Sequence, residues 1–130
     1  MLGLNSVTLL AVDSLIRVQV RATNAKSDGA YSELNIIGAT VETIPAVMIA
    51  PTILTSSITN ISIPITWSTP TGTNAGGNAV TITSYEISHS IDGADFISIG
   101  VVTGNTYPHT ITPSASTHAY KIRAINKYGT

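Results

Sequence analysis

Polar and apolar residues alternate along much of this chain with the period of two that a half-buried strand requires. The clearest run is Asn60 to Ser68, where Ile61, Ile63, Ile65 and Trp67 share one face and Ser62, Pro64, Thr66 and Ser68 the other. It predicts a core strand with one buried indole. Pro64 withdraws a donor from the ladder, so its nitrogen is expected to face a weak neighbour, the short edge strand Thr52 to Ser57. After a glycine- and proline-rich loop from Thr69 to Asn78, Ile82 to Ser90 alternates Tyr85, Ile87 and His89 against Glu86 and Ser88. Asp92-Gly93 then turns the chain into a strand at Phe96 to Val102. Thr106 to Thr112 follows, with Tyr107 and Ile111 as apolar positions, and Tyr120, Ile122 and Ala124 set the phase of the last strand.

Upstream, residues 4–12 read as a short apolar strand closed by Asp13-Ser14. Leu15 to Thr23 alternates Val18, Val20 and Ala22, and beyond an Asn24 to Gly29 loop the segment Tyr31 to Ile37 returns antiparallel as the second arm of a hairpin. Ile44-Pro45 and Ala50-Pro51 favour extended backbone and interrupt pairing, which makes residues 45–51 the expected linker. No stretch shows helical periodicity.

The phrase Arg21-Ala22-Thr23-Asn24 recurs as Arg123-Ala124-Ile125-Asn126. Laying Asn126 on Asn24 gives an offset of 126 − 24 = 102 residues, which also superposes Ile122 on Val20 and Tyr120 on Val18 without a gap. The chain therefore reads as part of one repeat followed by most of a second.

Composition narrows the class of molecule. Apolar residues make up 43% and charged residues 10%, the latter well under the roughly 25% usual in soluble domains. Polarity comes instead from Ser and Thr, about a quarter of the chain, a surface that suits an extracellular or cell-surface β protein. A net charge of −1 gives no electrostatic footprint for nucleic acid or an anionic membrane. With no cysteine there is neither a disulfide framework nor a thiolate metal site. Met1-Leu-Gly-Leu lacks the basic flank of a signal peptide, and no apolar run approaches the roughly 18 residues that span a bilayer.

Several short strands with Gly, Pro and Asn turns predict an antiparallel β-sandwich. Within that class the residues resemble a fibronectin type III repeat. Pro51 stands before the first strand, Trp67 in the second, Pro70 just after it, Tyr85 in the third, and Tyr120 to Gly129 forms the sixth. The resemblance covers residues 49–130 as strands A to F. Residues 4–37 resemble the E, F and G part of a preceding copy. It departs at Ser114, where the family usually places leucine, and at Val18, which replaces the tyrosine. The resemblance implies an immunoglobulin-like sandwich in tandem, with sheets A-B-E and C′-C-F-G, used for spacing, adhesion or assembly and not for catalysis. The implied organisation is residues 1–44 as strands E-F-G of a first repeat, 45–51 as linker, and 52–130 as a second repeat lacking strand G.

All six basic residues lie inside the two repeated phrases. Arg21 and Arg123 alternate with inward Val20 and Ile122, so they are expected on a solvated outer face, pairing across strands with Glu33 and Glu86. His89, His109 and His118 share no ligand spacing, and Asp92 and Asp95 sit on a turn, so no metal site and no cofactor is expected. No nucleophile elbow, phosphate loop or paired acids mark an enzyme. Asn60-Ile61-Ser62 is an N-glycosylation sequon. Trp67, Tyr85, Tyr120 and Ile122 are expected in the core.

An isolated hairpin with one apolar face is marginal in water, and a bare last strand invites another. Residues 1–44 are therefore expected to pack on another repeat or an identical subunit. Either the chain belongs to a tandem array, or the Tyr31, Leu34 and Ile36 strand of one chain completes the sandwich of the next. The leading expectation is a structural or adhesive module of a larger repetitive protein, with filament building as one use. The rival is a module that recognises a glycan or protein through the loops Thr69 to Asn78 and Asn24 to Gly29.

Overall fold

The computed structural model describes residues 9–130, which form two compact units, one ending at Glu42 and one running from Thr43 to Thr130. The strand expected over residues 4–12 lies largely outside the described residues. Its described end leads into a turn in which the Ser14 N–H donates to the Ala11 carbonyl at 3.1 Å.

The first unit is a hairpin. Among the described residues its regular pairing is confined to β1 (Leu15–Ile16) and β2 (Ala39–Thr40). The arm expected at Tyr31 to Ile37 does run back antiparallel, but side chains replace part of its ladder. Ser32 donates its N–H to the Val20 carbonyl and accepts the Val20 N–H on Oγ (2.8 and 3.1 Å). Asn35 treats Val18 alike, with its N–H at 3.2 Å and Oδ1 at 3.1 Å. These local side-chain bonds compete with a regular strand. Arg21 pairs with Asp28 at 2.7 Å and lies over the Tyr31 ring, so its partner is not Glu33 as the cross-strand argument expected. Asp28 is already held close by the Thr23 hydroxyl at 2.6 Å, which brings its carboxylate to the arginine.

The second unit is a sandwich of two three-stranded antiparallel sheets. One holds β3 (Thr52–Ile53), β4 (Ser62–Thr66) and β7 (Thr106–Thr110) in the order β3-β4-β7. The other holds β5 (Ser84–Ile91), β6 (Ile97–Val102) and β8 (His118–Ile125) in the order β6-β5-β8. This is the pairing expected of strands A-B-E and C′-C-F. The inward positions of β4, β5 and β8 make the core: Ile63, Ile65, Trp67, Tyr85, Ile87, Ile122 and Ala124, with Tyr120 half-buried against them. Trp67 is 6% exposed and meets Tyr85 edge-on at 5.4 Å. Ile61, expected on the same inward face, is exposed because it lies in the turn before β4.

Pro64 takes the expected orientation. In an antiparallel ladder hydrogen-bonded pairs recur every second residue. The Trp67 N–H donates to the Asn105 carbonyl and the Ile111 N–H to the Ile61 carbonyl, so the odd residues of β4 bond β7. Pro64, opposite Pro108, turns its nitrogen toward the two-residue strand β3, and its carbonyl accepts the Leu54 N–H at 3.0 Å. The rest of the expected Thr52 to Ser57 strand tightens into a 3-10 turn at Thr55–Ser57.

Residues 45–51, read from the sequence as a linker, are tied to this sandwich. The Thr43 and Ala46 N–H groups donate to the Gly76 and Asn74 carbonyls, both at 2.9 Å, and Pro45 is buried. The Thr69 to Asn78 loop closes on itself through a 3-10 turn at Gly72–Ala75, with Ala75, Gly76 and Gly77 buried. Gly76 has a φ of 104°, and a Cβ there would stand 2.1 Å from the Thr43 carbonyl oxygen.

Candidate functional site

The feature that sets this sandwich apart is the open side of β8. Register and the bond from the Asp92 N–H to the Thr117 carbonyl place the backbone groups of Ala119, Lys121, Arg123 and Ile125 toward β5. Those of Tyr120, Ile122 and Ala124 therefore point away from β5, to the edge that pairs with no further strand among the described residues. After β8 the chain reverses: Asn126 and Gly129 exchange two backbone hydrogen bonds of 3.0 Å, and Asn126 Oδ1 accepts the Tyr128 N–H at 2.8 Å.

The same turn occurs 102 residues earlier. The Asn24 N–H donates to the Ser27 carbonyl at 3.2 Å, and Asn24 Oδ1 accepts the Lys26 N–H at 2.9 Å. There a returning arm follows the turn. The carbonyls of Ala22, Val20 and Val18 accept the N–H groups of Gly29, Ser32 and Asn35. Those three carbonyls correspond by the offset to Ala124, Ile122 and Tyr120, the groups left open on β8.

Asn126 also locks the end of the sandwich. It is buried, and its Nδ2 donates to the Thr43 and Ala75 carbonyls, both at 2.8 Å. One side chain thus ties the turn after β8 to the chain entering the unit and to the Gly72–Ala75 turn.

The opposite end is polar. His89 is 5% exposed, and its Nε2 lies 2.9 Å from His118 Nδ1 with the rings stacked. His109 crosses from the other sheet, with its ring centroid 4.4 Å from that of His89 and its Nδ1 2.8 Å from the Tyr120 hydroxyl. Burial, and then the neighbouring His118, holds the His89 pKa below the ordinary value. His109 is lowered by burial and then by His89 and His118. Burial, with Tyr107 nearby, pushes the Tyr120 phenol up to about 12. Sequence reasoning weighed these histidines only for ligand spacing and so missed their convergence. The signal was their phase: His89 continues the inward set Tyr85 and Ile87, and His118 stands two residues before Tyr120. His89 and His118 stack while His109 meets His89 edge-on, and among the described residues no group of His, Cys, Asp or Glu is arranged to hold a metal ion.

The remaining candidates sit apart. Asn60 is exposed in the tight turn between Thr59 and Ser62. Tyr31, Leu34 and Ile36 are exposed on the first unit. Glu86 lies directly across from Arg123, paired at 2.5 Å, as expected for the outer face. A cleft of about 440 Å³ opens between residues 46–50 and the Thr66 to Thr71 stretch. Trp67 lines it, and Trp67 Nε1 is buried without a hydrogen-bond partner.

No family model and no curated protein matches the chain. Among solved structures, one described as titin kinase and its flanking domains superposes with a TM-score of 0.56 at 18% identity, over 67% of this chain and 15% of that one. At that identity the likeness concerns architecture alone, and together with the sheet pairing it shows an immunoglobulin-like antiparallel β-sandwich fold.

Proposed function

We propose that this chain is a non-catalytic structural module of a larger repetitive protein, of the fibronectin type III kind, working outside the cell or at its surface. The observation that carries this reading is the repeated turn. Two segments 102 residues apart adopt the same Asn-centred reversal, and the carbonyls that receive a returning arm in the first unit are open in the second among the described residues. The β8 edge is thus suited to take a strand like residues 28–40. That strand comes from a neighbouring repeat in a tandem array, or from another copy by strand addition. When each copy donates to the next, contacts of this head-to-tail kind build open filaments. The exposed Asn60 sequon is compatible with a glycoprotein.

The test is to append the sequence of residues 28–40 after Gly129. The expected outcome is a higher melting temperature, with slowed amide exchange at Tyr120 and Ile122. Their counterparts Val18 and Val20 give their N–H groups to Asn35 and Ser32. A scrambled appendage should do neither. An authentic appendage that leaves both melting and exchange unchanged refutes the proposal.

The cleft beside Trp67 favours a second reading, recognition of a glycan or protein segment. A glycan array read against a Thr69 to Asn78 loop variant tests it, and a blank array counts against it.

A further inference from the structure

The chain has 3 histidines, and all of them meet at one end of the sandwich although they come from three strands and two sheets. We propose that this cluster is an acid-sensitive latch. It holds β7 against β5 and β8 while its rings are neutral, and it releases that end of the sandwich as they gain protons.

The His89–His118 hydrogen bond accommodates at most one cationic ring. Between His89 Nε2 and His118 Nδ1 one nitrogen donates and the other accepts, so a proton on both leaves two N–H groups facing each other at 2.9 Å. The 2.8 Å contact between His109 Nδ1 and the Tyr120 hydroxyl runs in the direction the imidazole tautomer sets, and where Nδ1 accepts the phenol proton, protonation of that nitrogen removes the acceptor. His118 Nε2 is buried with no partner, so a proton placed there is a donor with nowhere to donate.

Among the described residues of the second unit, no compensating anion faces the cluster. The ionisable groups around it are His89 from β5, His118 and Tyr120 from β8, and Tyr107 and His109 from β7. The strands β4 and β6 bring none. On the adjoining turn Asp92 Oδ1 is occupied by the Thr117 N–H at 2.7 Å, and Asp95 is exposed. Among the described residues, neither ion pair involves a histidine. Desolvation therefore acts on the cationic rings without relief, which is the direction seen at His89 and His109.

The sign of the pH dependence follows. A histidine whose pKa is lower in the folded chain than its unfolded value of about 6.5 contributes stability that is fully present above that pH and lost as pH falls below it. Two such histidines lower the folded-to-unfolded ratio by at most about a thousandfold between pH 7.5 and pH 5, the limit reached when neither ring gains a proton in the fold.

The test is urea unfolding of the full chain from pH 7.5 to 5.0, with the ring C–H signals of the three histidines and backbone amide exchange followed by NMR. The expected result is a steep loss of stability over this range. His89 and His109 should titrate below 6.5, and exchange should rise first in β7 and at the start of β8. His109→Gln keeps an uncharged amide beside Tyr120 and should reduce the loss to a few tens of fold. Should that variant fail to fold, the ring titration of the unaltered chain decides alone. Folded-state midpoints at or above 6.5, a stability unchanged from pH 7.5 to 5.0, or exchange that rises uniformly through both sheets would overturn the proposal.

Discussion

Asn126→Ala tests whether a single amide locks the end of the sandwich. Asn126 is 4% exposed, and its side chain makes three bonds of 2.8 Å, donating to the Thr43 and Ala75 carbonyls and accepting the Tyr128 N–H. Truncation leaves two carbonyls without their donor. Each buried unsatisfied group costs about 1–3 kcal/mol, so a loss of roughly 2–5 kcal/mol is expected, with the turn bond adding a smaller share. Asn24→Ala is the internal control. It removes the same turn bonds on an exposed residue, where water replaces the lost partner, and should cost under about 1 kcal/mol. Asn126→Asp separates the two roles of the side chain. It keeps the acceptor for Tyr128 but sets a carboxylate against two carbonyls, so it should be no better than alanine. Urea denaturation of the three variants, with slopes compared to confirm a common unfolded state, gives the differences. An Asn126→Ala chain within 1 kcal/mol of the parent, or one no worse than Asn24→Ala, refutes the reasoning.

Three further outcomes are expected. Trp67→Ala removes an indole from the centre of the core and should cost about 3–5 kcal/mol by chemical denaturation; a variant that melts like the parent would show that Trp67 does not hold the two sheets together. Gly76→Ala combines a left-handed backbone angle with a Cβ driven into the Thr43 carbonyl, and should lower the melting temperature more than the same change at Gly104, where a Cβ meets nothing. Glu86 is held below the ordinary carboxylate value by its hydrogen bond to Ser98 and then by Arg123. Its contribution is therefore present above about pH 4.5 and lost as pH falls through its lowered pKa. Glu86→Gln should flatten the urea midpoint between pH 5 and 3 by an amount under about 1 kcal/mol, since the pair lies at the surface.

The alternation of Ile63, Ile65 and Trp67 with polar residues made β4 and its buried face legible from sequence, because period two reports directly which side of a strand meets the core. Tyr85 with Ile87 and Ile122 with Ala124 were legible for the same reason, and their phase brings Glu86 across from Arg123. Alternation carries no information on where Ser and Asn side chains replace backbone acceptors. The Tyr31 to Ile37 arm therefore read as a regular strand although Ser32 and Asn35 bond the opposite backbone through their side chains. The linker reading rested on Pro45 and Pro51, but proline restricts φ without deciding whether the chain packs. The Thr43 and Ala46 bonds to the Gly76 and Asn74 carbonyls are long-range and leave no local signature. The histidine cluster is likewise a product of register between sheets: His109 reaches His89 only because β4 carries β7 across the core.

The facing prolines of β4 and β7 give the sandwich a direction. Pro64 spends its missing donor against a strand of two residues, whereas Pro108 turns its nitrogen to the outer rim of the same sheet, because it lies opposite Pro64 at a position that does not bond β4. An incoming strand at that rim finds a gap in the row of donors. The β6 rim is bulged at Ile99, and the β3 rim is only two residues long. The eight residues of β8 carry no proline and pair with β5 without a break in register. Three of the four rims of the sandwich are thus poor templates for a further strand, which leaves it few places to grow sideways into aggregates.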